Sequence, residues 1–217
     1  MPTRIDHLVI GAANLAQGAA YVKTQLGVEI PVGGTHEKLG THNHLMQLGN
    51  ELFLEVIAVN PNGQTPARPR WFGLDDPHVS HALNNQPALL TWVVNTQDIE
   101  ALLNKTSASF GKVTPISRGD LNWLFGLPGD GRLLAGGMLP YVMQWQTDTH
   151  PANRMADRGC RLQQLHIHHP YPDWLDTNLK AIGAAELVQI HPLDKATTPY
   201  LEAVIATPGG EKILRSR

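Results

Sequence analysis

The chain has a single cysteine, Cys160, in 217 residues, which excludes an internal disulfide framework and any metal site built from thiolates alone. It has no run of Lys or Arg, and 17 basic against 19 acidic residues leave a net charge of -2, so the electrostatic footprint of a nucleic-acid binder is missing. No apolar stretch approaches the roughly 18 to 20 residues that a membrane span requires. Nor does a basic segment with a short apolar core precede the first strand, so neither export nor membrane insertion is expected. A reducing, cytoplasmic setting fits this cysteine usage. Gly136-Gly137 and Gly209-Gly210 lack the strand-to-helix context of a phosphate loop, and no G-x-S-x-G element occurs. With no base partner implied for Cys160, nucleophilic hydrolysis has little support.

What is present is an ordinary globular composition, 42% hydrophobic and 17% charged, long enough for one large domain or fused small modules. Ile5 to Ile10 is a short apolar run ending at Gly11, and Asn14 caps an expected helix from Leu15 to Gln25 that stops at Gly27. Strands are expected at Val28 to Pro31, Leu39 to Leu48 and Glu51 to Val59, with Gly49-Asn50 as the hairpin turn. Residues 60–87, rich in Pro, Asn and Asp, read as a connection holding a short helix near His78 to Asn84. The βαβββ order then recurs: a strand at Leu89 to Val94, a helix starting at Thr96 or Asp98, and strands at Lys112 to Ser117, Leu121 to Leu127 and Met138 to Trp145. A third pass has strands at Arg161 to His168, Glu186 to Ile190, Tyr200 to Ala206 and Glu211 to Arg215, with a helix at Asp173 to Ile182. Such recurrence marks repeated supersecondary modules.

Alternation along a strand puts His7 on the face of Ile5 and Val9, and Glu55 on the face of Phe53 and Ile57. A carboxylate among apolar neighbours needs a hydrogen-bonding, ionic or metal partner, so Glu55 is either satisfied by a nearby polar group or part of a site. His42, Asn43 and His44 lie on the strand that hairpins with that of Glu55, and one of the two histidines is expected to share its face. Imidazole and carboxylate together suit zinc, iron, nickel or manganese. His166 and His168 share one face of the first strand of the third module, a pattern read here as an edge strand with a polar outer side. Arg118, in a hairpin, either clamps an anionic substrate or is solvated. Trp71-Phe72, Trp92, Trp123 and Trp145 belong to a core or to the wall of an apolar pocket.

The βαβββ repeat with His7 on its first strand and Glu55 on its fourth resembles the vicinal-oxygen-chelate superfamily of glyoxalase I, extradiol dioxygenases and bleomycin-resistance proteins. Ile5-Asp6-His7-Leu8-Val9, Gly40-Thr41-His42-Asn43, Leu54-Glu55-Val56-Ile57-Ala58, Arg70-Trp71-Phe72-Gly73-Leu74, Leu139-Pro140-Tyr141 and His150-Pro151 are similar, more closely, to the bacterial glyoxalase-like domain family. The resemblance implies an α+β fold of tandem βαβββ modules whose curved mixed sheet forms a cup with helices on the outside. Modules 4–59 and 88–146 form the paired domain 1–151, and residues 152–217 form a third βαβββ-like module packed on it. The metal enzymes of the superfamily use a first-strand His and a fourth-strand Glu from each half. Here His7 and Glu55 fit the first half, with His42 as candidate third ligand. In the second half Leu89 stands where a histidine is expected, and the last strand offers Gln144 but no carboxylate.

The implied site therefore has Glu55 and His42 as catalytic groups, His7, Glu55 and His42 as ligands of a zinc, nickel, iron or manganese ion, and Asn43, Trp92, Arg118 and Gln144 on the substrate. The implied partner is a small molecule, with a homodimer left open. Two functions follow. One is a lyase, isomerase or oxygenase in which a metal stabilises an enolate while Glu55 moves a proton. The other is a metal-free cup that binds or protonates a small organic molecule directly, or sequesters it as bleomycin-resistance proteins do.

Overall fold

From Asp6 to Gly11 every residue of the first strand is buried, which a strand achieves only with neighbours on both edges and layers on both faces. In the computed structural model, which describes residues 3–216, this strand lies inside an eight-stranded sheet. The elements of that sheet and its helices are β1 (Arg4–Gly11), α1 (Leu15–Leu26), β2 (Val32–His36), β3 (Thr41–Gly49), β4 (Leu52–Val59), α2 (Pro77–Asn85), β5 (Ala88–Asn95), α3 (Ile99–Leu103), β6 (Lys112–Arg118), β7 (Leu121–Leu127) and β8 (Tyr141–Trp145). A second sheet follows from β9 (Arg161–His169), α4 (Pro172–Ala181), β10 (Gln189–Pro192), β11 (Tyr200–Thr207) and β12 (Gly210–Arg215).

The large sheet runs β2-β3-β4-β1-β5-β8-β7-β6. Each half has the same wiring, with its first and fourth strands parallel (β1 with β4, β5 with β8), and the halves join through the antiparallel pair β1 and β5. The sheet curls until its ends approach, so that Arg118 at the end of β6 reaches Asn43 on β3, across from β2. The fold class is thus the expected α+β cup.

The convex face is covered by α1 and by the second sheet, whose β11 and β12 pack on β5. Asn14 caps α1 by accepting from the Gln17 N–H at 2.9 Å, an interaction worth about 1 kcal/mol. The helix lies close to β4 because Gly18 has no side chain: a Cβ there would sit 2.3 Å from Cγ1 of Val56. One hydrophobic core joins Leu8, Ile10, Leu54 and Trp92 of the large sheet to Leu175, Ile205 and Leu214 of the carboxyl-terminal part.

Two expectations need correction. The second strand is Val32–His36 rather than Val28 to Pro31. Gly33-Gly34 looks like a turn, yet it is pinned as a strand by the Gly34 N–H, which donates to Asn43 Oδ1 at 2.8 Å. The strand β9 is not an edge: it pairs with β10 and with β11, and His166 and His168 lie on its outer face beside His191 and Tyr200. The third pass repeats the element order but not the pairing, since its order is β10-β9-β11-β12 and the parallel partner of β9 is the strand directly after the helix.

Candidate functional site

The strand pairing of β1 breaks at one point. Ile5 pairs with Val94 and His7 with Val93, so Asp6 is the extra residue of a β-bulge. Strict alternation would send Asp6 and His7 to opposite faces, whereas the bulge brings both side chains together, with Asp6 Oδ1 2.6 Å from His7 Nδ1. Asp6 is fully buried. Its Oδ2 also accepts from Trp145 Nε1 at 2.7 Å and meets His150 Nε2 at 2.9 Å.

These contacts assign the protons. A carboxylate accepts only, so His7 donates its Nδ1–H and presents an Nε2 lone pair to the cup when neutral. His150 Nδ1 accepts from the Ala152 N–H at 3.2 Å, so its proton resides on Nε2 and points at Asp6. Burial alone would raise the Asp6 pKa, but the hydrogen bonds from His150 and His7 outweigh it and hold the carboxyl down to about 2. Asp6 is therefore an anion that orients two imidazoles.

Across the cup floor, His7 and Glu55 face each other from the parallel strands β1 and β4, with His7 Nε2 3.7 Å from Glu55 Oε2. That separation exceeds a hydrogen bond. The ring of Phe53 stacks on His7 at 4.4 Å. The other oxygen of Glu55, Oε1, accepts from Asn43 Nδ2 at 2.6 Å. Asn43 Oδ1 in turn accepts from Gly34 N–H and from Arg118 Nη1, the latter at 3.3 Å. A second Arg118 contact runs to His36 Nε2 at 3.4 Å. Because a guanidinium only donates, His36 Nε2 accepts and its Nδ1–H points to Thr41 Oγ1, 3.1 Å away. Burial, then the charge of Arg118, lowers the His36 pKa to about 3, so the ring stays neutral.

The remaining walls are aromatic: Trp71, Phe72, Trp123, Phe125 and Trp145 line the cup, and Pro151 and Met155 close one side. The space between these walls, counted with its open mouth, is about 410 Å³, and the side chains fill most of the cup's interior. The paired glycines of β2 make room for this arrangement, since a Cβ on Gly33 would lie 2.3 Å from Asn43 Oδ1 and 2.9 Å from Leu45 Cγ. Gly33→Ala is expected to push Asn43 off Glu55 and to weaken ligand binding at least about tenfold, with a loss of about 1 to 3 kcal/mol in stability; unchanged binding and urea midpoint would contradict this placement of Asn43.

Of the residues singled out from sequence, His7, Asn43, Glu55 and Arg118 meet in the cup. Three others do not. Asn43 and Leu45 share the face of Glu55, so His42 and His44 both turn to the opposite face, where His44 Nδ1 meets the Ile30 carbonyl at 2.9 Å. His42 Nε2 is buried there without a hydrogen-bond partner among the described residues. Trp92 is fully buried in the core and donates to the Met138 carbonyl at 3.1 Å. Gln144 accepts from the Ile99 N–H at 3.0 Å, at the start of α3, while its neighbours Met143 and Trp145 face the cup. For His42 and Gln144 the cause is the period of two along a strand, where a slip of one residue exchanges the faces.

Residues 5–183 match the model of the glyoxalase-like domain family. The chain belongs to the glyoxalase-like domain family. The structure of a hypothetical protein from Staphylococcus aureus is similar at 15% identity, covering 99% of this chain and 85% of that one with a TM-score of 0.59. Methylmalonyl-CoA epimerase from Mycobacterium tuberculosis matches 69% of this chain and 91% of its own at 16% identity and a TM-score of 0.42. A mutant of 4-hydroxymandelate synthase from Streptomyces coelicolor matches 99% of this chain and 62% of its own at 13% identity and 0.46. No curated protein matches the sequence.

In this glyoxalase-like protein the superfamily's metal positions reduce to His7 and Glu55. Their 3.7 Å separation would let one ion touch both, and Asp6 on His7 Nδ1 is the outer carboxylate common behind a ligating imidazole. A catalytic centre uses about three protein ligands. Among the described residues no group of three or more His, Cys, Asp or Glu side chains is arranged to hold an ion. The groups nearest Glu55 and Asn43 are an amide N–H donor and a guanidinium, which oppose a cation. The donor set does not fit the group.

Sequence reasoning missed Asp6, His36 and Trp145 as polar members of the site and gave His150 no role. Asp6 carried a signal, a carboxylate inside an apolar strand, but strict alternation would turn it away from His7. His36 lay hidden behind Gly33-Gly34.

Proposed function

We propose that this glyoxalase-like protein removes and returns a proton at a carbon beside a carbonyl group of a small organic molecule, with His7 as the base and without a metal. The observation that carries this reading is the Asp6–His7 pair, a buried carboxylate on Nδ1 with Nε2 open to the cup. In the proton-transfer step the C–H pair of electrons moves into the carbonyl to form an enolate, and the proton passes to Nε2. The imidazolium that results lies 2.6 Å from the Asp6 carboxylate, which stabilises it. Glu55 Oε2 makes no hydrogen bond among the described residues while Oε1 is held by Asn43, and in this reading it exchanges a proton with the same carbon. No helix among the described residues is long and apolar enough to cross a membrane.

The rival reading is a binding protein that sequesters an apolar compound, and it draws on the same aromatic wall. Proton NMR in D2O separates the two. Small 2-oxo acids and ketones incubated with the protein are expected to lose their C–H signal, and His7→Gln is expected to slow this exchange by about a hundredfold or more. Chelator treatment is expected to leave the rate unchanged; a rate lost on chelation and restored by a divalent ion would overturn the metal-free reading. Tight binding without exchange in any compound would favour sequestration.

A further inference from the structure

Arg118 is the unbalanced charge of the cup. Arg70, Arg132, Arg154, Arg161 and Arg215 each hold a carboxylate within 2.6 to 2.7 Å. Arg118 is half-buried and, among the described residues, pairs with no carboxylate. Its two acceptors are long, at 3.3 and 3.4 Å, and both are neutral. Asn43 Oδ1 is already committed to the Gly34 N–H at 2.8 Å, and His36 stays uncharged because burial and Arg118 itself oppose its protonation. Only Nη1 makes these contacts, so the rest of the planar fork is left to a ligand. A partly desolvated cation without a counter-ion is unfavourable in the free protein and is relieved when an anion enters.

We infer that the ligand of the cup is a small carboxylate with a flat apolar body, its carboxylate held by Arg118 and its body against the rings of Trp71, Trp123 and Phe125. The inference rests on the proton-transfer reading for the location of the reacting carbon. Asn43 joins the two ends of the cup, since its amide oxygen faces Arg118 and its amide nitrogen holds Glu55. A carboxylate on Arg118 therefore lies one asparagine side chain from Glu55, which places the carbon α or β to that carboxylate beside His7 and Glu55. Flat rings meet the aromatic wall by stacking or edge contact, with the T-shaped packing already present between Phe72 and Tyr141 behind it. The side chains fill most of the cup's interior, which limits the body to a single ring or a short unsaturated chain.

Calorimetric titration with cinnamate and with its neutral counterpart cinnamamide tests this on the full chain. The acid is expected to bind at least about tenfold more tightly than the amide, with affinity falling as salt rises. Arg118→Met is expected to abolish the preference and Arg118→Lys to reduce it, because an ammonium keeps the charge and loses the fork. His7→Gln is expected to keep the preference while losing proton exchange. Equal binding of acid and amide by the wild type, or no binding of cinnamate at millimolar concentration, would overturn the inference without reference to any variant's folding. A retained acid preference with no exchange in any compound would instead overturn the proton-transfer reading and leave anion recognition standing.

Discussion

Asp6→Ala is expected to lower the unfolding free energy by about 3 to 5 kcal/mol, the range for removing one partner of a buried charged network. Three donors converge on that carboxylate: His7 Nδ1 at 2.6 Å, Trp145 Nε1 at 2.7 Å and His150 Nε2 at 2.9 Å. Alanine strands all of them in a volume with little room for water, and each stranded group adds its own desolvation penalty. The network also ties β1 to β8 and to the segment at His150, so the loss is spread across the cup. Urea denaturation measures the change in midpoint, and a shift equivalent to less than about 1 kcal/mol would contradict the network's role. Asp6→Asn separates structure from chemistry. With its oxygen in the Oδ2 position, asparagine still accepts from Trp145 and His150, but its amide N–H now faces His7 and forces that ring to accept at Nδ1. The proton then moves to Nε2, and the base is lost although the fold remains. Exchange in the Asn variant should fall about as far as in His7→Gln, while its stability falls less than in Asp6→Ala.

The second large effect is acid sensitivity. His36 has a pKa near 6.5 when unfolded and about 3 when folded, with burial as the main cause. The sign follows from linkage: below pH 6.5 the unfolded chain takes up a proton that the buried ring refuses, so stability is complete above that pH and is lost toward pH 3. The slope is about 1.4 kcal/mol per pH unit for one proton. Asp6 adds to the same direction at lower pH. Its carboxyl, 3.8 in the reference state and about 2 when folded, contributes stability above pH 3.8 that is lost as the pH falls toward 2. Urea midpoints of the wild type should therefore decline steadily from pH 6.5 to 4. His36→Gln keeps a polar partner for Arg118 but cannot titrate, so its curve should be flatter by about 1.4 kcal/mol per pH unit. Parallel curves for the two proteins would remove His36 as the cause.

Much of the architecture follows from local pattern. The buried run Leu8-Val9-Ile10, the Asn14 cap and the Gly27 stop bound the first two elements to within a residue or so, because periodicity and capping act within one or two turns of chain. The meeting of His7 and Glu55 was legible for a related reason: both sit among apolar neighbours, and an ionisable group in such a strand needs a partner. For two of the site residues the reading failed by one position. His42 and Gln144 each lie one position from a residue that faces the cup, Asn43 in one case and Met143 or Trp145 in the other. Asp6 was hidden by a bulge, which the composition of a strand does not announce.

The sequence by itself determined an ordinary globular composition, two βαβββ passes, a polar pair in the first, and family membership, because each depends on residues close together or on a pattern spread along the chain. Only the tertiary structure decided which polar groups form the site. Asp6 and His150 are 144 positions apart and meet because β8 lies one strand from β1; Arg118 and Asn43 are 75 apart and meet because the sheet curls until its ends approach. The same curling joins the polar floor of His7, Asn43 and Glu55 to a wall of Trp71, Trp123, Phe125 and Trp145, and among the described residues it leaves the guanidinium of Arg118 without a carboxylate partner.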